Sequence, residues 1–200
     1  MIYLPSRFLF IHIPRTGGTS IKAALSAAFP EARIDDGGRK HWTAWDFRWN
    51  MPSSEWKACY RFTVVRDPKT LIESDWRYCQ EYATKTLYGV FATNDLWREK
   101  LRRTCDGDFG SFVRNEWLGS YSGLRVGGFR RTWTLGPSGE DIGVHVWRFE
   151  RLAEDWPAIC AAVGLTTPVL LPRLNTSHAE ATDWPEKERN AVGEICWMDL

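Results

Sequence analysis

The sequence has no hydrophobic run long enough to cross a bilayer, no Cys-x-x-Cys pair, no internal repeat and no surplus of one sign of charge. Each absence removes a class of function. Arg7 is the lone basic residue ahead of a short apolar run, which is too short for a secretory signal core or a membrane span. Lys and Arg total 26 against 25 Asp and Glu, a formal net charge of +1. That balance argues against duplex nucleic acid or an anionic membrane as partner, while leaving room for a local anion site. The five cysteines (Cys59, Cys79, Cys105, Cys160 and Cys196) are odd in number and scattered. Neither a disulfide framework nor structural zinc is expected, and reduced thiols in a cytoplasm fit best. No grouping of His, Cys, Asp and Glu has metal-ligand spacing, so no metal is expected.

What is present describes an ordinary folded chain. Its 200 residues are 44% hydrophobic and 26% charged, enough for one domain over 1–200 with a real core. Twelve tryptophans are many for this length; aromatic shelves for sugar rings are one use, but most should be core or half-buried.

One stretch organises the rest. Phe8 to Ile11 is an apolar run, Pro14-Arg15-Thr16-Gly17-Gly18 is a turn, and Ile21, Ala24, Leu25 and Ala28 recur on one face of a helix. The expected unit is a strand over 8–13, a tight loop and a helix over 18–28 that stops at Phe29-Pro30. Such a junction aims unpaired backbone N–H groups and the positive helix end at one spot. Gly17 and Gly18 let the main chain approach a ligand, Thr16, Thr19 and Ser20 add hydroxyls, and Arg15 adds a cation. The loop suits an anion. It is not a Walker A loop, because no Lys follows the second glycine.

A second such unit follows. Residues 31–40 are polar and Gly-rich, hence a loop, and a short helix should begin just after His41. Arg61 to Val65 is a strand ending at Arg66-Asp67-Pro68, with Asp67 placed to cap a helix and Pro68 at its first position. Leu71, Ile72, Trp76 and Cys79 form that helix's apolar stripe. Strand–turn–helix twice over favours an α/β fold with a parallel sheet, whose ligands sit beyond the carboxyl ends of the strands. Both the 14–20 loop and Arg66 belong at such ends.

Between 83 and 143 the pattern is weak. Asn94 could open a charged helix through Arg103, Asp108 could cap another through Trp117, and Gly119 to Gly128 reads as a loop. Arg98, Lys100, Arg102 and Arg103 read as a solvated face, and Arg125, Arg130 and Arg131 flank glycines. A strand over 144–149 follows, then a helix from about Asp155 with Pro157 in its first turn and Gly164 at its C-terminal end. An extended segment spans Leu170 to Asn175, and a last helix begins near Asp183-Trp184-Pro185.

His12-Ile13-Pro14-Arg15-Thr16-Gly17-Gly18-Thr19-Ser20 resembles the 5′-phosphosulfate loop of the sulfotransferases, nearest to the branch holding bacterial and carbohydrate sulfotransferases. In that family an Arg and a Ser at the spacing of Arg66 and Ser74, with a Pro two after the Arg, bind the donor's 3′-phosphate. The residues here match at all three positions. The resemblance implies a three-layer, P-loop-like α/β fold with a mostly parallel central sheet flanked by helices. It implies 3′-phosphoadenosine 5′-phosphosulfate (PAPS) as donor, the 3′,5′-bisphosphate PAP as product, and a small-molecule or carbohydrate acceptor.

On this resemblance Arg15 and Thr16 to Ser20 hold the phosphosulfate, and Arg15 stabilises the leaving phosphate. His41, in the position where the carbohydrate branch often carries its base, takes the acceptor's proton. His12 is expected to be structural, and His145 and His178 have no assigned role. Arg148 to Leu152 and Leu171 to Ser177 resemble the family's C-terminal half, where a polar loop including Asn175, Thr176 and Ser177 closes over the nucleotide. Two positions depart from the family: Arg15 stands where Lys is usual, and Thr70 where a further Arg is common. A non-catalytic nucleotide- or sulfate-binding domain of the same fold is the alternative, and a small P-loop kinase is a third.

Overall fold

The computed structural model describes residues 1–35, 37–86, 107–119, 133–174 and 182–196. The helix expected from Asn94, the cations from Arg98 to Arg103, Arg125, Arg130 and Arg131, the polar residues 175–177, and His178 lie outside them. The chain forms two compact units, Met1–Asp67 with Arg130–Thr176, and Pro68–Phe129 with Ser177–Leu200.

The first unit is a mixed α/β structure around a five-stranded open sheet. Its strands are β1 (Ile2–Leu4), β2 (Phe8–Ile11), β3 (Arg33–Ile34), β4 (Tyr60–Val65) and β5 (His145–Arg148). They lie in the order β3-β1-β2-β4-β5. β4 runs parallel to both β2 and β5, as repeated strand–turn–helix units require. On its other side the sheet is mixed, since β1 alone runs against its neighbours, antiparallel to β2 and to β3. The physical reason is local. Only Pro5, Ser6 and Arg7 join β1 to β2, too few for a parallel crossover, so the chain reverses in a turn closed by Arg7 N–H to the Leu4 carbonyl at 3.1 Å.

Both faces of this sheet are covered. Phe8 and Phe10 pack on one face with α1 (Gly18–Ala28) and with Leu152, Trp156 and Ile159 of a later helix. Leu9 and Ile11 pack on the other, with Ala44 and Phe47 of α2 (Ala44–Asn50) and Trp56 of α3 (Ser53–Ala58). This double burial is why β2 reads as an unbroken apolar run rather than an alternating one. Each such side chain contributes roughly 1.5–3 kcal/mol on burial.

The helix boundaries follow their capping chemistry. α2 begins at Ala44 because Thr43 and Asp46 form a capping box, with Thr43 N–H to Asp46 Oδ2 at 2.8 Å and Asp46 N–H to Thr43 Oγ1 at 3.2 Å. α4 (Pro68–Thr86) starts at the proline, as expected. α5 (Phe109–Phe112) is capped by Asp108, which accepts from Ser111 N–H at 2.6 Å, and it continues as a π-helix over Val113–Gly119.

α6 (Leu152–Ala162) starts three residues before Asp155, because a 3-10 turn over Phe149–Arg151 leads straight into it. Pro157 is therefore inside the helix rather than in its first turn. Gly164, at φ +87°, ends it in a Schellman motif, with Leu165 N–H to the Cys160 carbonyl and Gly164 N–H to the Ala161 carbonyl, both 2.9 Å.

The second unit is helical among the described residues: α4, α5 with its π-helical extension, and α7 (Glu186–Cys196). Its aromatic contacts centre on Trp76, which packs against Phe109 and Phe112, while Trp184 meets the Phe109 ring edge-on at 4.9 Å. Trp184 Nε1 donates to Glu73 Oε1 at 2.6 Å, and Arg114 pairs with the buried Glu188. Of the tryptophans described across both units, Trp49 alone is mostly exposed, so these residues serve chiefly as core. Cys59, Cys79 and Cys160 are buried thiols outside any disulfide. Among the described residues, no helix is long and apolar enough to cross a membrane.

Candidate anion site at the head of α1

β2 ends at Ile11, and the chain turns over Ile13 to Gly17 before entering α1. Two residues take left-handed backbone conformations here, Arg15 at φ +65° and Gly17 at φ +79°. Thr16, fully buried, donates its hydroxyl to the Ile13 carbonyl at 2.8 Å and cross-braces the turn. That hydroxyl serves the loop itself, so Thr16 offers a ligand only its main-chain N–H.

Ser20 is also buried, and its Oγ accepts from the Leu174 N–H at 3.1 Å. Thr19 is the exposed hydroxyl of the three. Gly17, as N-cap, has no side chain to occupy the first-turn donors, and the first turn carries no acidic residue. The helical ladder opens with Ile21 N–H to the Gly17 carbonyl at 3.1 Å. The N–H groups of Gly18, Thr19 and Ser20 come before it, at the positive end of the helix dipole.

Arg66 stands at the carboxyl end of β4, the strand next to β2 in the sheet. Its Nη1 donates to the Arg15 carbonyl at 3.2 Å, and its guanidinium lies 4.5 Å from the centre of the Phe149 ring. Phe149, in the 3-10 turn after β5, thus holds the cation over its ring by a cation–π contact. Glu150 beside it accepts from the Asp67 N–H at 2.8 Å and closes the same strand end.

The two glycines have a packing role that the sequence did not reveal. A Cβ on Gly17 would meet Phe149 at 3.1 Å, and one on Gly18 would lie 2.0 Å from the His12 ring. The space beside each is filled by a neighbouring ring rather than kept open for a ligand. Gly18→Ala should therefore lower the unfolding free energy by about 1–3 kcal/mol, the usual cost of overpacking. Chemical denaturation of the purified variant measures it.

His12 is 6% exposed, as expected of a structural residue, and its ring lies 5.0 Å from that of His41. His41 Nδ1 is 3.2 Å from the His12 carbonyl oxygen. A further link thus ties the segment carrying His41 to the loop carrying Arg15. Ser74 belongs to the second unit, on α4, where it is buried rather than solvent-facing. The structure therefore brings Arg15 to Ser20, Arg66 and, through His12, His41 together in one unit.

Comparison with protein-family models, curated proteins and solved structures finds no match.

The electrostatics of the two histidines follow from burial and from the cations around them. Burial, and then the neighbouring His41, push the His12 imidazole down to about 2, so it is neutral at any physiological pH. The His41 pKa is also lowered, first by partial burial; its bond to the His12 carbonyl opposes that, while Lys40, the Met1 ammonium and Lys22 reinforce it.

A stability effect follows from His12. In the unfolded chain this imidazole protonates below about 6.5, while the folded protein must keep it neutral. Stability should therefore fall as pH drops below 6.5, by about 2 kcal/mol at pH 5, and His12→Phe should flatten that slope. Denaturant titrations of both proteins at pH 7.5 and 5 test the sign.

Sequence reasoning missed two contributors, Phe149 and the His12 carbonyl. Phe149 could have been suspected, since it closes the expected 144–149 strand, at the carboxyl end where α/β sheets hold their ligands. A main-chain carbonyl leaves no trace in composition or spacing.

Proposed function

We propose that this chain is a sulfotransferase on a three-layer, P-loop-like α/β fold, with PAPS as donor and a hydroxyl of a carbohydrate or small molecule as acceptor. The observation that carries it is the Arg66–Arg15 contact. It joins the ends of adjacent parallel strands beside a helix N-terminus whose cap has no side chain. The Arg66 guanidinium beside the turn that carries Arg15, together with several N–H donors at the same strand edge, suits a ligand with more than one anionic group.

In this reading the N–H groups of Thr16 to Ser20 cradle the phosphosulfate, Arg66 takes the 3′-phosphate and Arg15 supports charge on the departing phosphate. Ser74 enters through the resemblance alone. His41 accepts the acceptor's proton while the new oxygen–sulfur bond forms and the bond from sulfur to the phosphate oxygen breaks. The buried thiols fit a reducing compartment such as the cytoplasm.

Calorimetry with PAP against ATP plus magnesium tests the reading. Binding of PAP without a magnesium requirement is the expected result, and selective binding of ATP plus magnesium would overturn it in favour of a kinase. A non-catalytic binding domain is favoured by one observation: Arg15, where Lys is usual, has its main chain left-handed and its carbonyl held by Arg66. PAP binding with no transfer of labelled sulfate to any of a panel of acceptors would select it.

A further inference from the structure

His41 Nδ1 lies 3.2 Å from a main-chain carbonyl oxygen, an atom that can accept but never donate. The contact is therefore a hydrogen bond only when Nδ1 carries the proton. Neutral imidazole has one N–H, so its Nε2 is then an unprotonated lone pair. The contact is part-buried, and the carbonyl belongs to a residue 6% exposed. The His41 ring also leans against that of His12. Lys40, the Met1 ammonium and Lys22, whose charges act on His41, are cations and offer its Nδ1 proton no acceptor.

We infer that the His12 main-chain carbonyl selects the Nδ1–H tautomer of His41, leaving the Nε2 lone pair to take the acceptor's proton and making His12 a positioning residue. The inference deepens the sulfotransferase reading and rests on it for the final proton transfer, but the tautomer itself is independent of any substrate. His12 acts through its backbone, so replacing its side chain does not remove the bond. The His12 ring itself lies in the slot left by Gly18, where a Cβ would clash at 2.0 Å, so bulk at position 18 pushes on the residue that carries this carbonyl. Gly18, the second glycine of the loop, thus connects the anion cradle to the orientation of the proposed base.

The test is a long-range ¹H–¹⁵N correlation spectrum of the full chain labelled at histidine, recorded across a pH titration. The expected His41 pattern at high pH is a pyrrole-type Nδ1 and a pyridine-type Nε2, with Nε2 alone changing type as the ring protonates. A pyridine-type Nδ1, or a mixture of tautomers, overturns the inference whether or not the protein transfers sulfate. In Gly18→Ala the pattern should move toward the mixed tautomers of an untethered imidazole; should that variant fail to fold, the wild-type spectrum decides by itself. The acid limb of kcat with PAPS should coincide with the Nε2 titration. A limb that follows another group would overturn the role of this lone pair as proton acceptor while leaving the tautomer standing, which separates the two failures.

Discussion

Purified His41→Ala should bind PAP as the wild type does yet transfer sulfate about 10²–10⁴-fold more slowly, the range that general-base assistance supplies. The separation is expected because His41 meets the loop only through the His12 carbonyl and ring, on a different side chain from Arg15 and Arg66. Single-turnover rates with labelled PAPS, alongside calorimetry with PAP, give both quantities. Unchanged transfer would remove His41 as the base. In the wild type the lowered His41 pKa keeps the ring neutral below its ordinary titration range, so the acid limb of kcat should lie below 6.5. Lys40→Gln removes one of the cations that oppose protonation and should shift this limb toward higher pH.

Arg66→Ala should weaken PAP binding by about 10–100-fold, since a charge-assisted hydrogen bond contributes about 1.5–3 kcal/mol and each 1.4 kcal/mol is tenfold. Part of the loss is indirect. The same guanidinium donates to the Arg15 carbonyl across the strand ends, so its removal also loosens the left-handed turn that presents Arg15. Arg66→Lys keeps the charge but neither the planar fork nor the guanidinium's contact with the Phe149 ring, and should recover only part of the affinity. Calorimetry over the three proteins orders them, and equal affinities would exclude Arg66 from the anion site.

Local chemistry was legible where one residue sets the geometry by itself. Asp108 as an N-cap, Pro68 as a helix start and Gly164 as a helix stop can each be read from the chain and recur in the structure. Boundaries slipped where a neighbouring element decided them. α6 begins early because the 3-10 turn after β5 feeds it, and β1 and β3 went unread because strands of three and two residues have almost no periodicity. The candidate site divides the same way. Arg15, Arg66 and His41 can be picked out as residue types after strands and a loop. The seat that Phe149 provides for Arg66, the diversion of the Thr16 hydroxyl into its own loop, and the His12 carbonyl behind His41 can only be seen in three dimensions.

By itself, the sequence determined that a strand runs through a glycine turn into a helix, and that a second strand ends in an arginine. Apolar periodicity and backbone freedom act within a few residues, so the chain encodes them locally. Only the tertiary structure decided that those two strands are parallel neighbours whose ends meet, so that the Arg66 guanidinium reaches the Arg15 carbonyl. Likewise, only the folded chain decided that the bulk excluded beside Gly17 and Gly18 belongs to Phe149 and His12. The physical reason is that pairing and close packing join residues far apart in the chain, and the residues at either end record nothing of the other.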